Sequence, residues 1–587
     1  MFKVSKHEKV KVDYLILAFV TALVFLLHVI HINKFSIFSI LDDEYGYWGN
    51  AAYLSGLNWS DTVSKIPYYS FGYSLLLVPL FWIFDNTIYM YRAAIFLNGI
   101  MICASFLLCY NISRKLMDNV NKYILLIISL LISMYPTYIT YANIAWSECL
   151  LMFIYWLLTW CFLGLNDKSK AYKFYLIGML NGYIYFVHQR ALGILIASIL
   201  VVLIMKILNK ISFKQFIRVI LCTLLIISIG YFIKSDIQRN LWLNGTELSI
   251  NDYSGQVSKL DQLFSLEGFL KAFRIFLGQF FYLGASSYLI FYFGLYDLIE
   301  KTAIMLQRNN KKNIVSNNYN SYSYMYMFLM ISVTITMSIS AIFFINPIRI
   351  NEIVFGRYNE MILGPLMLIG FLRIINGKRL KNNHFIYLVI FFIFLTIITV
   401  STINSSYLNV YQTIDIVGLL FIQPPYGIYI TAVIVMIIFR LIFIAFSNSN
   451  NKLIIITLLL LFSIYFGIGE SKSISLVNHN QEMMKMIKIT DIIKSSQKEL
   501  PIYFLCNDTE NHSVVKWNNR TIRDRSVSDC YQFILKDINI KPINAKELRN
   551  IKEKKYVLTT SNVDISEILD DYQICGNDEG SILLKTK

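Results

Sequence analysis

Residues 41–56 read LDDEYGYWGNAAYLSG. Asp42, Asp43 and Glu44 stand in a row directly after an apolar run at 13–33. If 43–56 is helical, Glu44, Tyr47, Ala51 and Leu54 fall on one stripe, with Trp48, Ala52 and Ser55 on its neighbour. The spacing predicts an amphipathic helix at a membrane interface, its leading carboxylates held over the mouth of a helix bundle.

The rest of the chain supplies that bundle. Its 587 residues are 56% hydrophobic and only 15% charged, whereas soluble domains carry about 25% charged residues. Apolar runs fall near 13–33, 89–110, 123–142, 145–165, 173–188, 191–208, 215–233, 275–298, 324–346, 358–374, 384–402, 417–446 and 453–468. The sequence therefore predicts a polytopic α-helical membrane protein with about 13 spans. The first run is longer than a signal-peptide core and is followed by acids, so it reads as a retained helix. A run at 71–84, FGYSLLLVPLFWIF, is too short to span and contains Pro79. It reads as a re-entrant or surface-lying element.

The net charge of +16 has a topological reading. Lys and Arg cluster in short loops between apolar runs, as the positive-inside rule requires, which argues against nucleic acid as a partner. With Lys3, Lys6, Lys9 and Lys11 inside, alternation places the basic groups near 114–122, 168–173, 210–218, 301–312 and 378–381 inside too. The expectation is a multi-pass plasma-membrane protein with a cytoplasmic N-terminus. The 34–88 segment, a loop at 234–274, short loops near 189, 350 and 410, and the tail then lie outside.

Two regions follow. Residues 1–470 form the transmembrane module, with 34–88 as its first external loop. Residues 471–587 alternate strand-length apolar runs (PIYFLC, YQFILK, KYVLTT, SILLK) with polar helical stretches, which predicts a small extracytoplasmic α/β domain. Cys506, Cys530 and Cys575 allow one disulfide there. No metal-ligand spacing of Cys and His and no GxxxxGK[ST] loop occurs in the sequence.

DEYGYWGNAAYL resembles the acidic motif in the first external loop of the GT-C membrane glycosyltransferases, of the protein mannosyltransferase and aminoarabinose transferase type. The order of later elements is similar too. KIPYYSFGYSLLLVPLF resembles the Lys-Pro-Pro and Phe-Gly-Tyr elements, with Ile66 in place of the first proline. YRAAIFLNGIMICASFLL resembles the next helix. SMYPTYITYANIAWSECLLMFIYWLL resembles paired helices joined at a Ser-Glu turn, here Ser147 and Glu148. LNGYIYFVHQRALGILIASIL resembles the following Arg element, with His188 and Gln189 as departures, and FGRYNEMILGPLMLIG a late Arg-Tyr element. The resemblance covers residues 10–375; the tail matches only in placement.

The resemblance implies an enzyme that moves a hexosyl or pentosyl group from a polyprenyl-monophosphate donor to an extracytoplasmic acceptor, with inversion. The acceptor could be an envelope glycan, teichoic acid, lipid or protein. Asp43 occupies the position of the family's acid and is the expected general base, with Glu44 as alternate. Lys65, Arg190 and Arg357 are candidates to hold the donor phosphate, because charge grows on that leaving group as the glycosidic bond breaks. Snorkelling to lipid headgroups is the plain alternative for each. Asp42 either orients the acceptor or is merely solvated. Glu148 binds the acceptor, pairs with an arginine or caps a turn. No obligatory cofactor or metal is expected, although an acidic cluster can hold a divalent cation. Trp59, Tyr68, Tyr69 and Tyr73 read first as an aromatic belt.

Two other functions fit a bundle of this kind: a lipid-linked oligosaccharide flippase or other transporter, and an envelope polysaccharide polymerase or ligase. Acids concentrated after the first helix, and a tail with no counterpart in the first half, favour the transferase over a two-halved transporter. A polymerase or ligase would place its decisive residues in the 234–274 loop.

Overall fold

The computed structural model describes residues 6–243, 258–310, 322–376, 382–406, 408, 413–419, 426–447, 451–477, 480–495, 500–507, 514–517, 520–566, 568–578 and 580–587. Among them, 8 helices are long and apolar enough to cross a membrane, or up to 10 if each of two bent pairs is one span. Three further apolar runs form shorter helices, Glu148–Phe162, Ala171–Val187 and Glu360–Asn376. At 15, 17 and 17 residues they fall below the usual spanning length. Each is cut short at the end that leads to Glu148, Arg190 or Arg357.

The bends have local causes. Lys122–Ser133 and Pro136–Ala142 meet at 57°, where Pro136 cannot donate a helical hydrogen bond and restarts the helix. Leu266–Ser286 and Ile290–Gln307 meet at 113°. Between them Tyr288 and Leu289 take the left-handed conformation, with φ of 50° and 64°, which no right-handed helix can continue through.

Helix connectivity puts Glu148, Arg190 and Arg357 at one end of the bundle and the short basic loops at the other. At the basic end Lys115 and Lys173 lie over the same Trp160 ring, at 5.8 and 4.8 Å, and Lys122 pairs with Asp13. Lys311, Lys312, Lys378, Arg379 and Lys381 lie outside the described residues.

The acidic stretch forms a helix, Leu41–Leu54, whose residues 44–52 are all buried. It does not lie open on a membrane surface, because protein covers the face the interface would have taken. The segment after it forms a short helix, Ser74–Ile83, packed against the acidic helix and the helix Thr87–Leu116. Just before it, the Gly72 N–H donates to the Phe186 carbonyl at 2.6 Å. A Cβ at Gly72 would sit 2.5 Å from the Val187 nitrogen, so only glycine lets the two backbones meet.

The cover is the C-terminal region. Strands β1 (Ile502–Leu505), β4 (Ile540–Ile543), β5 (Tyr556–Thr560), β6 (Tyr572–Asp578) and β7 (Ser581–Thr586) form a sheet in the order β4-β1-β5-β7-β6. β1 is parallel to β4 and β5, while β7 is antiparallel to β5 and β6. β2 (Val514–Trp517) and β3 (Arg520–Arg523) make a separate hairpin. The run YQFILK, expected as a strand, instead ends the helix Asp524–Ile534, which is buried along its whole length. Its Phe533 ring lies 4.8 Å from Phe38 and 5.1 Å from Trp48. Trp59 Nε1 donates to the Lys536 carbonyl at 2.8 Å, and Lys536 Nζ donates to the Phe84 carbonyl at 2.8 Å. The α/β region is thus packed into the 34–88 segment.

Cys506, Cys530 and Cys575 are free thiols. Both ends of the 234–274 stretch are helical, as parts of Phe213–Asn240 and Leu266–Ser286. Its centre, with Glu247 and Asp252, lies outside the described residues.

Candidate active site

Six charged side chains lead from the exposed rim into the bundle, with Asp42 and Asp43 as neighbouring acids between Arg523 and Arg357. Arg523 Nη1 meets Asp42 Oδ2 at 3.2 Å, and in the next acid Asp43 Oδ2 meets Arg357 Nη1 at 2.6 Å. Arg357 Nε donates to Glu148 Oε1 at 2.7 Å, and Arg190 Nη2 pairs with Glu148 Oε2. Along this row side-chain exposure falls from 47% at Arg523 through 26, 21, 10 and 3% to 1% at Arg190. Asp43 therefore sits where solvent gives way to the interior.

Each member is placed by its element. Asp42 and Asp43 lie in the first turn of the acidic helix, where the helix dipole favours negative charge. Glu148 is the first residue of Glu148–Phe162, and the preceding Ser147 Oγ is 2.8 Å from the Tyr47 hydroxyl, which ties that turn to the acidic helix. Arg190 occupies a 3₁₀ turn, Gln189–Ala191, over the Tyr358 ring at 4.9 Å. The Arg357 N–H donates to the Asp415 carbonyl at 3.2 Å, and its guanidinium lies 4.0 Å above Trp146.

Tyr69 completes the setting of Asp43. Its hydroxyl donates to Asp43 Oδ1 at 2.7 Å, while Asn50 Nδ2 donates to the Tyr69 carbonyl at 2.8 Å. A Cβ at Gly46 would collide with the Tyr69 ring, which explains the small residue one turn after the acids. Sequence reasoning placed Tyr69 in an aromatic belt. Trp59, Tyr68 and Tyr73 are at most 2% exposed and belong to the core: Trp59 bonds Lys536 of the C-terminal region, whereas Tyr68 packs on Trp242 at 5.4 Å and Tyr73 on Tyr47 at 5.6 Å. Arg523 and Asp415 were also missed, since nothing in their local sequence connects them to positions hundreds of residues away.

Glu44 takes a different place from its neighbours. One oxygen accepts from the N–H groups of Ser39 at 2.6 Å and Ile40 at 2.9 Å. The other accepts from the Tyr91 hydroxyl at 2.6 Å and the Ala145 N–H at 3.0 Å. With both oxygens engaged inside the protein, Glu44 holds the acidic loop and is not available as the alternate base. Glu44→Gln cannot accept on both sides and should lower stability by about 1–3 kcal/mol, read as a lower unfolding midpoint of the purified protein. Glu148 is likewise committed, to both arginines rather than to an acceptor. Lys65 is exposed, four positions before Tyr69.

Protonation follows from this geometry. Burial pushes the Asp43 carboxyl up, but the Arg357 guanidinium and the Tyr69 hydroxyl outweigh it and hold the group below the ordinary carboxylate range. Burial, then Arg357, push His188 down to about 3, so it stays neutral at physiological pH. A depressed carboxylate pKa contributes stability that is fully present above the unfolded value of about 3.9 and is lost as pH falls through the folded one. Activity that needs ionised Asp43 should follow the same direction, with no limb from His188. In Arg357→Gln the burial effect prevails, and the acid limb of the pH–rate profile should move upward. An unmoved limb would disconnect Asp43 ionisation from turnover.

The fold is a polytopic helical bundle with a carboxylate-bearing segment after its first helix and a C-terminal α/β region. The chain is similar in fold to ArnT from Cupriavidus metallidurans. Against ArnT bound to undecaprenyl phosphate the TM-score is 0.51, with 10% identity over 97% of each chain. Against ArnT in the apo state the values are 0.51 and 10% over 98% of each chain. The Archaeoglobus fulgidus oligosaccharyltransferase in its apo form gives a TM-score of 0.43 and 10% identity, over 93% of this chain and 69% of that one. No family model matches the chain, and no curated protein sequence matches it.

Proposed function

We propose that this protein is a membrane glycosyltransferase that moves a sugar from a polyprenyl-phosphate donor to an extracytoplasmic acceptor, with inversion at the sugar carbon. The observation that carries the reading is Asp43: an ionised carboxylate at the boundary of solvent and bundle, with two buried arginines directly behind it. The fold likeness to ArnT, solved with undecaprenyl phosphate, supports the choice of donor.

In this reading the acceptor oxygen attacks the anomeric carbon and its proton passes to Asp43, while the bond from that carbon to the phosphate oxygen breaks. The leaving phosphate keeps the electron pair. Arg357 and Arg190 lie on the inner side, where that charge develops, and Lys65 meets the headgroup at the rim. Arg190 Nε and Nη1 have no hydrogen-bond partner among the described residues although the side chain is 1% exposed, so these donors remain for an anion. The stabilisation is preorganised, since the guanidinium positions are fixed by Glu148, Trp146 and Tyr358 before substrate arrives.

The test needs no knowledge of the acceptor. Lipids are extracted from cells carrying the native protein, a deletion, and Asp43→Asn at matched membrane levels, and polyprenyl monophosphate sugars are quantified by mass spectrometry. One such lipid should accumulate equally in the deletion and the variant. If none changes in either strain, the transferase reading falls.

A further inference from the structure

The charge row has two ends, and the proposed reaction uses only one. Arg190 and Arg357 stand on the inner side of Asp43, where the donor phosphate leaves. Arg523 stands on the outer side, one residue of backbone from Asp43 through Asp42. It is the one cation of the row that the C-terminal α/β region supplies.

Its surroundings separate a functional contact from a docking contact. The docking itself is dry: the helix that begins at Asp524 is wholly buried, Phe533 packs on Phe38 and Trp48, and Asn539 Nδ2 donates to Asp61 at 2.6 Å. Next to it, Arg525 is 0% exposed and held by Asp529 at 3.1 Å. Arg523 is the opposite, with a side chain 47% exposed and its Asp42 partner 26% exposed. An exposed pair of this kind adds about 0–1 kcal/mol to stability. Its backbone is nevertheless held in place, because the residue that follows it, Asp524, is locked into the interior.

We propose that Arg523 is a specificity-determining residue that recognises a negatively charged group on the acceptor, a phosphate or a carboxylate, next to the oxygen that receives the sugar. In the resting protein Asp42 occupies part of the guanidinium, and its remaining donors face solvent. An anionic acceptor engages them and places its nucleophilic oxygen toward Asp43, with the sugar carbon on the far side toward Arg357. The inference rests on the transferase reading and extends it to the acceptor.

The experiment compares native protein, Arg523→Ala, Arg523→Lys and Arg523→Glu at matched membrane levels in the deletion background, with Asp43→Asn as reference. The first readout is the donor lipid that accumulates in the deletion. The second uses purified full-length protein, with a membrane extract of the deletion strain as the source of donor and acceptor, titrated to separate KM from kcat. Arg523→Ala should raise the apparent KM for extract by about tenfold or more, the size of a lost hydrogen bond to a charged group. Arg523→Glu should raise it further, Arg523→Lys should recover most of it, and kcat should change little. Pretreating the extract with phosphatase should erase the difference between native and Arg523→Ala if the group is a phosphate. Carbodiimide amidation should do so if it is a carboxylate.

Native-like KM in both Arg523→Ala and Arg523→Glu would overturn the proposal. So would a loss of folded protein in all three variants, which would make Arg523 a docking residue. The transferase reading survives either result so long as Asp43→Asn still accumulates donor lipid, and it fails separately if Asp43→Asn does not.

Discussion

Asp43→Asn is expected to lower the transfer rate by about 10²- to 10⁴-fold, the contribution of a positioned general base, while the protein remains folded. The side chain keeps its size, and its carbonyl oxygen can still accept from Tyr69, which donates to Oδ1 in the native protein. What disappears is the negative charge and with it the capacity to take the acceptor proton. Arg357 retains Glu148 at 2.7 Å, so donor binding should survive better than turnover. The check is single-turnover transfer by purified protein from the lipid that accumulates in the deletion strain, with donor retention measured in parallel. A variant that turns over within a few fold of native would remove Asp43 from proton transfer.

Glu148→Ala should have the largest effect on the protein itself. Glu148 is 3% exposed and pairs with two arginines, one of them 1% exposed. Removing the carboxylate leaves both cations short of a partner, and breaking a buried pair from one side costs about 3–5 kcal/mol. The expected result is a large fall in folded protein and in the unfolding midpoint. Replacing Glu148 and Arg190 together with Gln and Met should recover much of that stability, because neither buried charge is then orphaned by the other. Activity should not return, since the inner cation is gone. If Glu148→Ala proves as stable as native, the row is not a coupled network.

The elements legible in the sequence are those set by local physics. The apolar runs, the helix at 41–54 and three of the four strand-length segments of the tail follow from periodicity and composition; the fourth, YQFILK, ends the helix Asp524–Ile534, since a short apolar run buried on all sides carries no period that separates strand from helix. So does the shortness of 71–84, where Pro79 and a run of 14 residues deny a span. Asp43, Glu148, Arg190 and Arg357 could be singled out because a charge beside a membrane run is costly without a purpose. Their pairing could not be read, since it joins positions 43, 148, 190 and 357 through tertiary contact alone. Glu44 shows the limit most clearly: adjacent to Asp43 and chemically alike, it rotates about a third of a turn around the helix, and that rotation decides between interior anchor and solvent boundary. The buried state of Trp59 was hidden for the same reason, because its partner Lys536 comes from the other end of the chain.

That cover also sets the order in which the molecule can mature. Trp59 and its partner Lys536 are 477 positions apart. At about 5–20 residues per second of synthesis, the acidic loop is made roughly half a minute to a minute and a half before the segment that seals it. Through that interval Phe38 and Trp48 lack their cover of Phe533 and Trp59 lacks Lys536, a state that proteases and chaperones can reach. A chain halted anywhere before residue 524 would insert its helices yet leave this surface permanently open, so surveillance of the loop amounts to surveillance of whether translation finished.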